Sequence, residues 1–217
     1  MPEMIRLAPP KRLNQNIGEM MFSQRAIRRL KPDPIGDEEL HLILDAASKA
    51  PNGGNTQPGR FLVIREREKI RQFGKLYREA WWAKRRDEGH PWAAAQDPKI
   101  VPKEGSYPHA AVLAEEIQDA PVIVLAFTLM KGRASSVFPP IQNLMLAARA
   151  LGIGTTLTSL HPTVMERVYA MFSIPQEAEF HACIPLGRPR GNFGPTSRFP
   201  TSHTTFWDGW NQPPPWK

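Results

Sequence analysis

Three arginines near the N-terminus, Arg25, Arg28 and Arg29, lie within five residues of one another in the stretch SQRAIRRLKP. A guanidinium group is planar and can make two parallel charged hydrogen bonds, which suits phosphate. In an extended backbone Arg25 and Arg29 share one side and Arg28 takes the other. In a helical turn Arg25 and Arg28 share a face. Either conformation lets one or two guanidiniums converge on an anion, although a solvated basic turn is the alternative interpretation.

A second chemical signal is the loop APNGGNTQPGRF at residues 50–61. Asparagine and glycine are ordinary turn residues, so most of this loop needs no ligand to explain it. Gln57, between Thr56 and Pro58, is less expected in a turn, and its carboxamide offers a donor and an acceptor together. Such a pair matches a heterocycle edge in which C=O and N–H groups alternate. Asn55 and Gln57 are therefore candidate ligand contacts.

Two further segments carry polar groups that a ligand could use. The stretch GTTLTSLH, residues 154–161, supplies backbone N–H groups and three threonines, although a β-prone strand explains most of it without a ligand. Arg198 lies in the irregular stretch GPTSRFP. An arginine in an extended arm is usually solvated, so Arg198 matters only if the arm folds back on the first arginine cluster.

Strand and helix patterns alternate through most of the chain. Strands are predicted at RFLVIRE (60–66), PVIVLAFTL (121–129) and AEFHACIPLGRP (178–189). The second of these is a near-continuous apolar run, which is typical of a strand covered on both faces. A first helix is predicted to end near Phe22, and a second covers about 37–50 with Asp37 as its cap. Further helices are predicted at about 66–90 with Tyr77 facing inward, at 109–120 and 137–151, and at 162–175 with Pro162 in its first position. This alternation favours an α+β or α/β layered fold.

The composition bounds the class of protein. A chain of 217 residues suits one domain over 1–217. Its single cysteine, Cys183, excludes an intramolecular disulfide framework and a cysteine-based zinc site, and it suits a reducing compartment. No N-terminal segment resembles a signal peptide, and the run APVIVLAF is too short to cross a bilayer. We therefore expect a soluble cytoplasmic protein with no membrane contact and no metal site.

The net charge of +7 raises the question of an anionic partner. The stretch at 66–89 mixes both signs along a helix, which is typical of a solvated face. No basic tail, zinc-finger spacing or aromatic RNA-binding signature is present, so we expect no nucleic-acid partner. The GIG at 152–154 follows a helix and enters a strand, which is the reverse of a dinucleotide fingerprint, and no Walker loop occurs. Side chains must therefore hold much of any phosphate-bearing ligand.

Together and in this order, these pieces resemble the flavin-dependent nitroreductase family from about Phe22 to the C-terminus. QRAIRRL is similar to the R-[RS]-x-x-R entry motif, with Gln24 and Ala26 in place of the first arginine and the serine. The loop at 50–61 is similar to A-P-S-x-x-N-x-Q-P-[WF], with Asn52 in place of the serine. IQNLMLAARALGIGTTLTS resembles the helix and strand that pack against the flavin ring. PLGRP resembles a P-x-G-x-P strand end, and TSRFP the late arginine that meets the phosphate.

The resemblance implies flavin mononucleotide (FMN) as cofactor. Arg25 and Arg198 would bind its phosphate, and Arg28 would lie near the ribityl or pyrimidine side, where positive charge favours the anionic reduced flavin. Asn55 and Gln57 would hydrogen-bond the ribityl chain and the ring edge. A backbone N–H of the GTTLTS segment would meet flavin N5. The implied cofactor-binding set is Arg25, Ala26, Ile27, Arg28, Asn55, Gln57, Leu157, Thr158, Ser159 and Arg198.

Gln24 and Ala26 replace the arginine and the serine of the motif, and each replacement would weaken FMN retention. The first removes a charge, and the second removes a hydroxyl that would bind the phosphate. The flavin would carry the chemistry, so no catalytic side chain is expected. A hydride from NADPH or NADH would pass to flavin N5, and a nitroaromatic, quinone or similar acceptor would then take it, in a two-step ping-pong mechanism. A flavin-binding store or sensor with little turnover is the alternative.

The resemblance also implies an architecture. The expected fold is α+β, with a mixed sheet surrounded by helices, in an intertwined homodimer that holds FMN between its subunits. The proline-rich segment at about 190–217 would be an arm exchanged between the subunits. The segment at about 81–108 lacks periodicity, so it is either a lid over the pocket or a mobile surface excursion.

Overall fold

The computed structural model describes residues 11–216. Residues 1–10 and 217 lie outside the described range, and so do the parts of the expected domain at 1–217 and arm at 190–217 that include them. The helices are α1 Ile17–Ser23, α2 Asp37–Ser48, α3 Arg67–Asp87, α4 Tyr107–Glu116, α5 Phe138–Ala150, α6 Pro162–Phe172 and α7 Thr201–Thr204. The strands are β1 Gly59–Ile64, β2 Val122–Thr128, β3 Gly154–Thr155 and β4 Glu179–Gly187.

The sequence signals for the end of α5 and the start of α6 act as expected, whereas the N-terminal cap of α2 is a different residue from the one expected. α6 begins with Pro162, whose missing N–H costs nothing in a first turn. Gly152 follows α5 with φ +71°, the left-handed conformation of a helix-terminating glycine. α2 contains Asp37 as its first residue and is capped instead at Gly36, whose N–H donates to the Glu39 carboxylate at 3.3 Å.

The four strands form one sheet in the order β1-β2-β4-β3, and each neighbouring pair is antiparallel. The α+β class is therefore confirmed. Among residues 11–216, parallel pairing is confined to an isolated bridge between Ala26 and Thr155. The strand order leaves β1 at one edge of the sheet and β3 at the other.

Helices cover both faces of the sheet. Ile123 and Leu125 of β2 point into an apolar core shared with α3, α4 and α6. Val122 and Val124 point the other way, into a core shared with α2 and α5. All seven residues of β2 are buried, which confirms a strand covered on both sides. This three-layer arrangement fixes β2 and β4 centrally and leaves the two edge strands to carry the polar segments.

Candidate functional site

The first arginine cluster lies on the outer side of β3, held there by its backbone. The Ile27 N–H donates to the Thr155 carbonyl at 2.8 Å, and the Lys31 N–H donates to the Arg188 carbonyl at 2.7 Å. Gly154 makes the approach possible, since a Cβ there would stand 2.8 Å from the Ile27 side chain. The extended arrangement is the one realised, because residues 24–30 contain only isolated bridges and no helical turn.

Arg28 is half-buried at this edge, whereas Arg25 is exposed. Within residues 11–216 the Arg28 guanidinium has no hydrogen-bond or ion-pair partner. Burial lowers the pKa of Arg28 below its ordinary value, and the nearby Arg25 charge lowers it further. An anion placed here would relieve both effects, because it supplies the acceptor and the opposite charge that the protein lacks.

The segment after β3 presents backbone donors at the same edge. Thr158 exchanges two hydrogen bonds with Cys183 of β4, at 2.9 and 2.8 Å, and its hydroxyl lies 2.9 Å from that of Tyr77. Backbone groups alternate in direction along a strand, so the N–H groups of Leu157 and Ser159 face away from β4. In the described part of the chain neither donates to another backbone or side-chain group. They are available to an acceptor atom of a ligand.

The C-terminal arm returns to this edge within the same chain. The Thr196 N–H donates to the Phe22 carbonyl at 3.0 Å, and the Arg149 guanidinium stacks 4.2 Å from the Phe193 ring. A Cβ on Gly194 would lie 3.7 Å from an Arg25 nitrogen. Arg198 follows Thr196 by two residues and is exposed. The arm thus folds back on the first arginine cluster, which is the condition under which Arg198 matters.

The two departures from the entry motif have structural roles of their own. The Gln24 amide approaches the Met145 sulfur at 3.6 Å, so this side chain is used in packing on α5. Ala26 takes part in the bridge with Thr155.

The amide loop at 52–57 is held by its own polar groups and by a neighbouring turn. The Asn52 carboxamide oxygen accepts the Gln57 N–H at 2.8 Å, and the Gly53 N–H donates to the Ser136 hydroxyl at 3.1 Å. Gly54, Asn55 and Gln57 have φ of +59°, +52° and +47°. Left-handed conformations are costly for non-glycine residues, and they are typical of sites whose geometry serves a function.

The sheet separates these two groups within one chain. The amide loop leads into β1, at one edge, while the segments around Arg28 and Thr158 lie at β3, at the other. Three interstrand spacings correspond to about 14 Å across the sheet. One chain therefore brings Arg25, Arg28 and residues 157–159 together, and it does not bring Asn55 and Gln57 to them.

A profile of the Nitroreductase family matches residues 22–188. The chain belongs to the nitroreductase family. It is 29% identical over 198 residues to the NADH dehydrogenase of Thermus thermophilus, with 86% of this chain and 93% of the relative covered. It is 28% identical over 186 residues to the 5,6-dimethylbenzimidazole synthase of Rhodospirillum rubrum, with 77% and 79% covered. The nitroreductase with bound FMN from Bacteroides fragilis superposes with a TM-score of 0.66 at 19% identity, over 90% of this chain and all of that one.

This nitroreductase-family chain has a cleft that the sequence patterns did not indicate. It has a volume of about 130 Å³ and lies between α3 and the segment at 156–159. Arg28 lines it, and so do Tyr77, Lys84, Arg85 and His161. Tyr77 was expected to face inward from helical periodicity alone, which carries no sign of a ligand. The signal that could have found the cleft is the cationic pair Lys84 and Arg85, which follows an apolar stripe on the same helix.

The aperiodic segment at 81–108 is built on an aromatic cluster. α3 continues to Asp87, and short 3₁₀ turns follow at Pro91–Ala95 and Pro98–Ile100. Five rings form this cluster, and the centroids of neighbouring rings lie 4.7–6.1 Å apart. The rings belong to Trp81, Trp82, His90, Trp92 and Tyr107. Whether this segment closes over a ligand stays a prediction. No helix between residues 11 and 216 combines the length and apolarity needed to cross a bilayer.

Proposed function

We propose that the protein is an FMN-dependent oxidoreductase that passes a hydride from NADPH or NADH to a nitroaromatic, quinone or similar electron-poor acceptor. Family membership supports this proposal, as does one structural observation that carries it. The unpaired, half-buried Arg28 guanidinium lies at the same edge as the outward N–H groups of Leu157 and Ser159. That combination offers a cation and directed neutral donors to one ligand, as an oxidised flavin requires.

The residues at the β3 edge fit FMN by their chemistry. Arg25, which lies beside the returning arm at Gly194, and Arg198, four residues farther along that arm, would bind the phosphate. Arg28 would lie by the pyrimidine side, and a backbone N–H between Leu157 and Ser159 would donate to N5. When bound, FMN supplies the hydride-accepting and hydride-donating chemistry, first with the nicotinamide and then with the acceptor. The protein's part is to bind, orient and exclude water.

The proposed site needs a second copy of the chain. Asn55 and Gln57 lie at the opposite sheet edge from Arg25 and Arg28, so they would reach the flavin bound to a partner subunit. Exposed aromatic side chains on the arm support association, because Trp210 is 81% exposed and Phe199 is 76% exposed. We propose a homodimer with FMN between the subunits and the arm packed on the partner.

The visible spectrum of the purified protein, with the released cofactor weighed by mass spectrometry, tests the cofactor. Steady-state oxidation of NADPH and NADH with a nitroaromatic acceptor then tests turnover, and parallel initial-rate lines would support the ping-pong order. Bound FMN without nicotinamide oxidation would favour a flavin store or sensor. A colourless protein that gains no colour with added FMN would contradict the proposal.

A subunit-mixing experiment tests the shared site. Arg25→Ala damages one half of each site and Gln57→Ala damages the other half, so each homodimer should bind FMN weakly. A random mixture of the two variants should regain about a quarter of the wild-type sites, because half of the dimers are mixed and each has one intact site. Mixing that restores nothing, while both variants stay dimeric, would place all these residues in one subunit's site or outside it.

A further inference from the structure

The cleft beside α3 is lined by aromatic and apolar side chains. Tyr77 and Trp81 of α3 are buried and line it, and so do the buried Ala80 and Leu113 of α4. Its volume of about 130 Å³ is close to the roughly 150 Å³ of a cavity that holds one benzene molecule. The cleft therefore matches a single aromatic ring in size.

The rim of the cleft is cationic. Four basic side chains line it, namely Arg28, Lys84, Arg85 and His161, and no aspartate or glutamate does. Acidic residues beside the cleft engage two of the four: Asp87 lies 3.0 Å from the His161 ring, and Glu88 accepts from Arg85 at 2.9 Å.

Two of the basic groups have no acidic partner. Arg28 is proposed above to face the flavin, and Lys84 pairs with no carboxylate in the part of the chain that the structure describes. The Arg85 Nε is buried and has no hydrogen-bond acceptor, even though the same guanidinium stacks on Trp81 at 5.6 Å. A buried charged donor without an acceptor costs free energy, which an anion in the cleft would offset.

We infer that this cleft binds the acceptor and selects a single-ring aromatic carboxylate, with Lys84 and Arg85 recognising its negative charge. The inference rests on the proposed function, since Leu157–Ser159, where the flavin N5 is proposed to lie, form part of the lining of this cleft. The aromatic ring would pack on Trp81 and Tyr77, which leaves the carboxylate at the Lys84 rim. Lys84 and Arg85 thus determine specificity and take no part in the hydride step.

Binding of a ligand that cannot be reduced tests this directly. Benzoate and benzamide have the same ring and nearly the same shape, and they differ in charge. Calorimetric titration of the purified protein should show about tenfold tighter binding of benzoate, and added salt should weaken benzoate alone. Equal binding of the two compounds would overturn the inference.

Variants of α3 assign the preference to a residue. Lys84→Gln should reduce the benzoate preference by about threefold to fivefold, and Lys84→Arg should restore it. Lys75→Gln is the matched control, because Lys75 is exposed on the same helix and nine residues away, which places it on the opposite face. An equal loss in both glutamine variants would mean that the protein's overall charge, and not the cleft, sets the preference.

Turnover separates this inference from the proposed function. Reduction of 4-nitrobenzoate should show a lower KM than that of 4-nitrobenzamide, and Lys84→Gln should raise the first KM with little change in kcat. FMN-dependent reduction of both compounds with equal KM would defeat the inference and leave the proposed function intact. Lys84-dependent benzoate binding by a protein that takes up no FMN would defeat the proposed function and leave the recognition of the carboxylate by Lys84 intact. A Lys84→Gln variant could instead lose affinity for NADPH and keep its affinity for NADH. That result would mean that Lys84 recognises the additional phosphate of NADPH, and it would overturn the inference.

Discussion

The two edges of the sheet position their polar groups in different ways. At the β3 edge, backbone pairing with Ala26, Ile27 and Thr158 fixes the segments, and the side chain of Arg28 is left without a partner. At the β1 edge, the amide loop is fixed through its own side chain, because Asn52 accepts the Gln57 N–H. The β3 edge therefore depends on tertiary contacts, whereas the loop at the β1 edge combines local hydrogen bonds with a long-range one from the Gly53 N–H to the Ser136 hydroxyl.

This difference predicts which changes spread and which stay local. Disturbing a backbone pairing at the β3 edge displaces several ligand-binding groups at once and also costs stability. Disturbing the amide loop changes the direction of one or two side chains and leaves the sheet intact. The following variants test that contrast in order of expected effect.

Gly154→Val should have the largest effect. A Cβ at residue 154 would stand 2.8 Å from the Ile27 side chain, so the segment that carries Arg25 and Arg28 must move away. We expect a loss of about 2–3 kcal/mol in the free energy of unfolding, measured with urea, together with weaker FMN binding. Gly191→Val is the control, because nothing lies within 4 Å of a Cβ at that exposed glycine. Similar losses in both variants would contradict the close approach at β3.

Arg25→Ala and Arg198→Ala should each weaken FMN binding by about 1–3 kcal/mol, the contribution of a charged hydrogen bond. Both side chains are exposed, so the free energy of unfolding should change little. Fluorescence titration of FMN measures the affinity. Arg71→Ala, an exposed arginine on α3 with only a surface ion pair to Glu68 at 3.9 Å, should leave it unchanged. Unaltered affinity in both of the first two variants would remove them from the phosphate site.

Gln57→Gly should weaken FMN binding by about 1 kcal/mol, because the variant lacks the amide that would contact the flavin. The backbone contribution to stability should change little, because relief of the +47° φ offsets the greater entropy of glycine in the unfolded chain. Gln96→Gly is the matched control, since Gln96 has φ +50° and lies far along the chain from the amide loop. Loss of FMN binding in Gln96→Gly, or none in Gln57→Gly, would exclude this role for the Gln57 amide.

The smallest expected effect is a pH dependence that comes from His181, near the start of the central strand β4. The His181 side chain is buried beside the Thr128 hydroxyl, and burial lowers its pKa below the ordinary value despite the nearby Glu179 carboxylate. The unfolded chain therefore takes up the proton first, so stability is complete above about pH 6.5 and falls as the pH drops below it. Urea unfolding at pH 7.5 and 5.5 measures this loss, and His181→Gln should reduce it. The exposed His41 is the control, and an equal flattening in His41→Gln would refute the assignment.

Sequence reasoning succeeded for elements whose signals are local. The apolar run at 121–129 predicted the buried β2, and Pro162 after His161 marked the start of α6. Sequence reasoning misplaced the cap of α2, which is Gly36 and not Asp37. The reason is that the Glu39 carboxylate accepts the N–H of Gly36. The stretch at 154–161 was recognised as strand-like, but only Gly154–Thr155 pairs continuously, since the chain touches β4 again at Thr158 alone.

The family, the α+β class and the identity of the arginine and amide segments were present in the sequence, because motif spacing and hydrophobic periodicity are properties of neighbouring residues. The order of the strands could not be read from the sequence. That order separates Gln57 from Arg28, and the tertiary packing places Lys84 in the same cleft as Leu157. Strand order depends on which distant faces bury each other, and that free energy is gained only when the chain has folded.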